Sequence, residues 1–465
     1  MALIQSFSGI RGIYGKDLTE SIAVKYAYAY CSFLKNKTKK NNLTLVIGTD
    51  TRPSGLKLSD AILGMLDCNF IDVGILPTPA IEFAVRHFNA DGGIIITASH
   101  NEPYWNGFKF LGSSGAVLDE KGMNFVINSF NSLKNFHKIQ DRKISEKNPE
   151  ALKKYTDFIL DVIGKDNIEQ IKNSNQKIVI DPNGGTGIIA KRILGQIGVD
   201  AAGINMNHGE FNRTVEPNED SLFYLKNIID ENNADFAAGF DCDADRVEIL
   251  MKDGRLLLGN YILALAVDEM LDNSKNPRNE VIVVNDATSN IVKYVAEKHG
   301  AKIKEVEVGE TNVVQEMERS KSIIGGEGSS GGVIIPPSKC RDGILTLLMV
   351  LSIIAKKQKN LKDIVSELPE FHYLRKKIEF EPVKHNQIKN HLKNHYAKKG
   401  FEVKETGGIK GGLKILTSKN SFVWFRASKT EANTFRIVAD SDNEKEAQKL
   451  MNEALEVFKR ANGQN

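Results

Sequence analysis

The chain has 465 residues, 41% hydrophobic and 26% charged, with 62 Lys+Arg against 59 Asp+Glu. That composition excludes a disordered or fibrous chain, and at about 150 residues per domain the length suggests roughly three domains. A formal charge of +3 gives no electrostatic case for a dedicated nucleic-acid binder.

Met1 to Arg11 show no basic stretch followed by an apolar core, so no secretory signal is expected. Four cysteines (Cys31, Cys68, Cys242, Cys340) are too sparse for a disulfide framework. They predict a reducing, cytoplasmic setting. Three β-branched runs end in an acidic residue and a polar turn: Leu45-Val-Ile-Gly-Thr-Asp50, Lys177-Ile-Val-Ile-Asp181 and Val281-Ile-Val-Val-Asn-Asp286. Such runs, followed by a helical period, predict βα units whose strands are buried on both faces.

Each run is followed by a second strand entering a less ordinary loop. These are Gly92-Gly-Ile-Ile-Ile-Thr97-Ala-Ser-His-Asn101, Phe236-Ala-Ala-Gly-Phe-Asp241-Cys-Asp-Ala-Asp-Arg246 and Ser322-Ile-Ile-Gly-Gly326-Glu-Gly-Ser-Ser-Gly-Gly332. Three α/β units of similar plan are expected, each with a polar loop at the carboxyl end of a strand, where open α/β sheets hold ligands. The longest nearly apolar run, Ile344 to Ala355, falls short of the ~20 residues that span a bilayer and predicts a buried helix. After Phe371 the chain becomes rich in Lys and His. Short strands (Ser421 to Phe425, Thr434 to Val438) and a helix near Glu444 to Arg460 then predict a smaller α+β domain. The charged segment near His137 to Lys154, Lys252-Asp253-Gly254 and Leu368-Pro369 are the expected boundaries.

Asp241, Asp243 and Asp245 concentrate about three negative charges in five residues, which repel one another unless a cation intervenes; hard oxygen ligands select Mg²⁺, Ca²⁺ or Mn²⁺. An EF-hand is disfavoured, because Arg246 stands where it needs Gly and Lys252 where it needs Glu. Strand-Asp-x-Asp also opens the haloacid-dehalogenase type of phosphotransferase, with Asp241 as nucleophile, but the continuation Ala244-Asp245-Arg246 departs from that pattern.

Ser99, at a strand-to-loop junction beside His100, is placed to act as a nucleophile or phosphoryl carrier; the same residues would equally serve as a helix N-cap. No Gly-x-Ser-x-Gly surrounds it, which disfavours a hydrolase elbow. Lys109 follows a short loop later. Glu327, within a glycine-rich loop, suits a hydroxyl-rich ligand, because a carboxylate accepts charge-assisted bonds from sugar OH groups; a flexible connection is the plain alternative. Arg426-Ala-Ser428-Lys429-Thr430 with Arg436 supplies the donors of a dianionic phosphate cradle, or simply a basic surface turn. His391 and His395 lack a third ligand nearby and read as a solvated helix face.

Taken in order, these loops resemble the α-D-phosphohexomutases: phosphoglucomutases, phosphomannomutases and phosphoglucosamine mutases. The likeness runs from Ser8-Gly-Ile-Arg11-Gly12 to Arg436. It implies three similar mixed-sheet α/β domains around a central cleft plus a smaller C-terminal α+β domain. The segments are 1–150 with the phosphoserine loop, 151–253 with the metal loop, 254–370 with the sugar-binding loop and 371–465 with the phosphate-binding loop.

The resemblance further implies that Ser99 carries the phosphoryl group, and that Asp241, Asp243 and Asp245 hold one Mg²⁺ together with the Ser99 oxygen. Arg11, His100, Lys109 and Arg246 would line the catalytic cleft. Glu327, Ser329 and Ser330 would read sugar hydroxyls, and Arg426, Ser428, Lys429, Thr430 and Arg436 would bind phosphate. The implied reaction moves a phosphoryl group between C6 and C1 of a hexose phosphate through a hexose 1,6-bisphosphate, which also serves as activator. No nucleic-acid or membrane partner is expected. An aspartyl-nucleophile phosphotransferase or phosphatase and a non-catalytic sugar-phosphate-binding protein are the alternatives. Three departures from the family pattern bear on the sugar: Glu102 where Pro is common, Lys429 where Gly or Asn is usual, and a Glu327 loop one residue longer and without His. The sugar (glucosamine, mannose or glucose phosphate), the general base and the oligomeric state are left open.

Overall fold

The apolar runs form strands in the computed structural model, which describes residues 3–6, 9–66, 68–133, 143–408, 411–428 and 433–463. The chain makes two compact units, Met1–Leu258 with Ser330–Leu361, and Gly259–Ser329 with Lys362–Asn465.

In the first unit, one sheet runs in the order Ile4–Ser6, Gly9–Ile13, Trp105–Gly112, Gly92–Ile96, Thr44–Thr49, Asn69–Ile75, Ile144–Glu146. A second runs Leu256–Leu257, Val247–Met251, Phe236–Phe240, Lys177–Asp181, Asp200–Gly203. Ile94, Ile95 and Ile96 are wholly buried, as a strand covered on both faces requires. Ile94 and Ile96 share a core with Tyr26 and Tyr30 of helix Glu20–Thr38 and with Ile62 of helix Gly55–Met65. Lys252-Asp253-Gly254 forms the turn between two antiparallel strands, with the Gly254 N–H donating to Met251 O at 2.9 Å and Gly254 at φ 87°. Cys31 and Cys68 meet as buried thiols, their sulfurs 3.2 Å apart.

The run Ile344 to Ala355 is the buried middle of helix Gly343–Lys357. Asp342 caps this helix by accepting from the Leu345 N–H at 2.9 Å, and Gln358 ends it in the left-handed region. Among the described residues no helix is long and apolar enough to cross a membrane.

In the second unit, Lys302–Val306, Val281–Asn285 and Ile324–Gly326 run parallel in one sheet. A five-stranded antiparallel sheet follows: His372–Glu379, Thr434–Ser441, Phe422–Ala427, Leu413–Leu416, Glu402–Glu405. Its Phe425, Phe435 and Ile437 pack on Leu392 of helix His385–Lys398 and on Phe458 of helix Glu444–Asn462. His391 and His395 lie on the first of these helices, His391 exposed and His395 paired with Glu453 at 3.4 Å.

The repeated plan is real at the level of pairing. In each instance the first strand and the second are parallel neighbours: Thr44–Thr49 with Gly92–Ile96, Lys177–Asp181 with Phe236–Phe240, and Val281–Asn285 with Ile324–Gly326. Three polar loops therefore leave equivalent strand ends.

Candidate active site

Two of those loops meet in the first unit. Ser99 leaves strand Gly92–Ile96 with φ 50°, a left-handed conformation that costs an L-residue about 1–2 kcal/mol. Its N–H donates to Thr97 Oγ1 at 2.8 Å. The Ser99 hydroxyl donates to Asp241 Oδ2 at 3.3 Å and accepts from Arg246 Nη2 at 3.3 Å, with His100 Nδ1 at 3.4 Å. The serine is thus no helix cap; it faces the aspartate cluster.

Asp241, Asp243 and Asp245 leave strand Phe236–Phe240 and are fully buried, with one oxygen of each within 4.8 Å of the others. Separate elements hold the loop's carbonyls. Cys242 O accepts from Thr186 N and Oγ1, Asp243 O from Thr78 N, and Ala244 O from Gly343 N. A side chain at Gly343 would place its Cβ 2.7 Å from the Arg246 carbonyl carbon, so only glycine allows the helix this close.

The carboxylates divide their partners. Both Asp241 oxygens are engaged by Arg246, Oδ1 by its backbone N–H at 3.3 Å and Oδ2 by Nε at 3.0 Å. Asp243 Oδ2 accepts from Thr78 Oγ1 at 2.7 Å and from Lys109 Nζ at 3.0 Å, and Asp245 Oδ2 accepts from Lys109 at 3.1 Å. Arg341 Nη2 stands 3.9 Å from Asp245. Asp243 Oδ1 is buried without a hydrogen-bond partner, and Asp245 Oδ1 has only the Arg246 Nε at 3.4 Å. An orphaned carboxylate oxygen and a weakly paired one, beside a third carboxylate and a serine oxygen, fit a hard divalent cation such as Mg²⁺, which gathers oxygen ligands.

Charges around this cluster set protonation. Burial, and then Asp245 and Asp243, push the Asp241 carboxyl well above its usual range, against the pull of Arg246. Burial would also raise Asp245, but Lys109, Arg341 and Arg246 outweigh it and hold that carboxyl well below. Burial and the Arg246 and Arg11 guanidiniums drive His100 well below the ordinary imidazole value, so it stands neutral. Arg11, on strand Gly9–Ile13, donates to Asn101 Oδ1 at 2.6 Å.

In the second unit, Glu327 Oε1 accepts from Asn285 Nδ2 at 3.0 Å and from the Gly309 N–H at 2.9 Å. Ser329 O accepts from Arg375 at 3.1 Å, whereas Ser330 belongs to the first unit and its hydroxyl accepts from Arg341 at 3.1 Å. Arg426 and Arg436 stand directly opposite on neighbouring strands, and Arg436 is opposite Lys377 on the next. Directly opposed residues share a face, so three cations form one row. Arg426 also pairs with Glu307 at 2.9 Å. The Ser428 N–H donates to Thr434 O at 2.7 Å, and Ser8, Lys429, Thr430 and the start of the expected boundary near His137 lie outside the described residues. Sequence reasoning did not single out Thr78, Arg341, Asn285 or Lys377; Thr78 carries no local motif, and the cation row needs the strand register.

Residues 3–136, 153–254 and 258–371 match phosphoglucomutase/phosphomannomutase α/β/α domains I, II and III in turn. The chain is 33% identical to a phosphoglucomutase/phosphomannomutase of Thermococcus kodakarensis over 97% of its own length and 98% of the relative's. It is 32% identical to a phosphoglucosamine mutase of Prochlorococcus marinus, over 78% of this chain and 79% of that one. A crystal structure described as a putative phosphomannomutase from Thermus thermophilus has the same fold, with TM-score 0.80 and 24% identity over 98% of both chains. The protein belongs to the phosphoglucomutase/phosphomannomutase family, the α-D-phosphohexomutases.

Proposed function

We propose that the protein is a phosphohexomutase. It moves a phosphoryl group between C6 and C1 of a hexose phosphate through phosphoserine at Ser99 and a bound hexose 1,6-bisphosphate. The observation that carries this reading is the Ser99 hydroxyl lying 3.3 Å from Asp241, within a buried aspartate triplet whose ligand oxygens gather within 4.8 Å and whose Asp243 Oδ1 has no hydrogen-bond partner. Family membership agrees with it, and the same reading divides the chain at residues 150, 253 and 370.

Phosphoryl transfer asks the protein for positioning and charge neutralisation more than for covalent chemistry. Mg²⁺ held by Asp241, Asp243, Asp245 and the Ser99 oxygen would supply positive charge against the transferring group. Arg246 spans Asp241 and Ser99 Oγ, so one guanidinium both fixes the carboxylate and faces the phosphoryl position. Lys109, gripped by two carboxylates, is held as a cation and serves as a donor. Neutral His100 offers an acceptor nitrogen 3.4 Å from the serine oxygen. Glu327, Ser329 and Ser330 read the sugar hydroxyls, and Arg426, Ser428, Lys429, Thr430 and Arg436 anchor the phosphate that is not reacting. A hexose 1,6-bisphosphate that escapes leaves Ser99 bare, which makes that compound the activator.

The test is Ser99→Ala, assayed with glucosamine, mannose and glucose 1-phosphates and a hexose 1,6-bisphosphate primer. Turnover should fall on the order of 10⁴-fold or more while sugar-phosphate binding persists. Near-normal rates in the variant would reject the carrier, and the wild-type rates rank the three sugars.

A further inference from the structure

Arg52 lies in the loop after strand Thr44–Thr49, and its side chain is wholly buried. Its Nε donates to Asp50 Oδ2 at 3.1 Å. Nη1 donates to Glu102 O at 2.7 Å and Trp105 O at 3.1 Å, and Nη2 to Ser99 O at 2.7 Å and Asn101 O at 2.5 Å. A guanidinium has five N–H donors, and here one meets a carboxylate, three meet carbonyls of the loop that carries Ser99 and one meets the first residue of the strand after it. Asp50 is fixed in turn, its Oδ1 accepting the Arg52 N–H at 2.9 Å.

Burying a charge is costly unless it is paired and every donor is satisfied. This one is satisfied almost entirely by the backbone of the serine loop. The consequence falls on Ser99. Its N–H is tied to Thr97 and its C=O to Arg52, which leaves little freedom except side-chain rotation toward Asp241, Arg246 and His100. The left-handed backbone at Ser99 would relax without such restraint.

We propose that Arg52, anchored by Asp50, is the positioning residue that aims the Ser99 hydroxyl for phosphoryl transfer. This rests on the mutase reading above. It acts only through the loop backbone, and lysine cannot replace it: three N–H groups radiating from one nitrogen do not span four carbonyls. A misplacement near 1 Å costs about 100-fold in rate.

The experiment measures kcat, hexose-phosphate affinity by calorimetry, Ser99 phosphorylation by hexose 1,6-bisphosphate from intact mass, and melting temperature, all on the full chain. In Arg52→Lys, kcat per folded molecule and the phosphorylation rate should both fall about 100-fold, with affinity changed less than about threefold. Should that variant not fold, Asp50→Asn/Arg52→Gln removes both buried charges together, a change that folds tolerate far better than stranding one, and the same split is expected. A folded variant that keeps its kcat, or that loses affinity as much as rate, overturns the inference. So does failure of both variants to fold, which would make Arg52 purely structural. A wild type without mutase activity would instead overturn the functional reading beneath it.

Discussion

The serine site in the first unit and the cation row in the second both concentrate charge, and they treat it in opposite ways. Around Ser99 the charges close on one another: Arg246 grips Asp241, and Lys109 bridges Asp243 and Asp245. Asp241, Asp243, Asp245, Arg246 and Lys109 are all buried. On the antiparallel sheet, Lys377, Arg436 and Arg426 stand in line with like charges opposed across the ladder, and Glu307 offsets part of that charge by pairing with Arg426 at 2.9 Å. A reacting centre gains from fixed geometry, because each dipole must already point where charge develops. A row of like charges instead concentrates positive potential on one face, which an incoming dianion would join.

The sharpest way to break that contrast is Asp243→Asn, which removes a buried oxygen donor and leaves the cation row intact. Turnover should fall about 10³-fold even at saturating Mg²⁺, with sugar-phosphate affinity nearly unchanged; chelation of the wild type should mimic it. Activity that survives both treatments would mean the aspartates hold no catalytic ion. Arg436→Gln probes the other side. Loss of one charge-assisted contact, about 1.5–3 kcal/mol, should weaken hexose-phosphate binding at least about 10-fold and leave saturated turnover within a few fold. The penalty should shrink as salt is raised, because this face is the more exposed one. A variant that binds normally but turns over slowly would reverse the assignment.

A smaller effect concerns stability. Asp440 is wholly buried, accepting from Ser289 Oγ at 2.7 Å and from the Asn290 N–H at 2.8 Å. Burial pushes its carboxyl up to about 6 against those hydrogen bonds. A carboxyl whose folded value exceeds its unfolded one favours the fold in its protonated form, so this contribution is full below the unfolded value and is lost as pH rises through about 6. Relative to Asp440→Asn, the wild type should lose roughly 3 kcal/mol of unfolding free energy between about pH 4 and pH 7. Parallel stability curves for the two proteins would show that Asp440 is not strained.

The elements that position the serine site were legible because their physics is local. Ile94-Ile95-Ile96 and Phe236 to Phe240 are apolar enough to be read as buried strands, and three aspartates at alternate positions announce a cation. Strand His372–Glu379 was missed, since Arg375-Lys376-Lys377 hides a period of two beneath a run of charge. The Arg426–Arg436–Lys377 row was half visible: both arginines stood out, but their register comes from pairing three strands far apart in sequence. Thr78 reaches Asp243 across 165 residues, a separation at which no spacing rule operates.

Ala244, in the middle of the aspartate loop, shares with Ser99 a backbone that glycine would adopt freely, at φ 52°. A chain shaped only for durability would place glycine there and shed the strain. Keeping a methyl group instead denies the loop its alternative shapes in both the folded and the unfolded chain. Thermostabilisation efforts that relax this residue should therefore trade catalytic sharpness for a higher melting point.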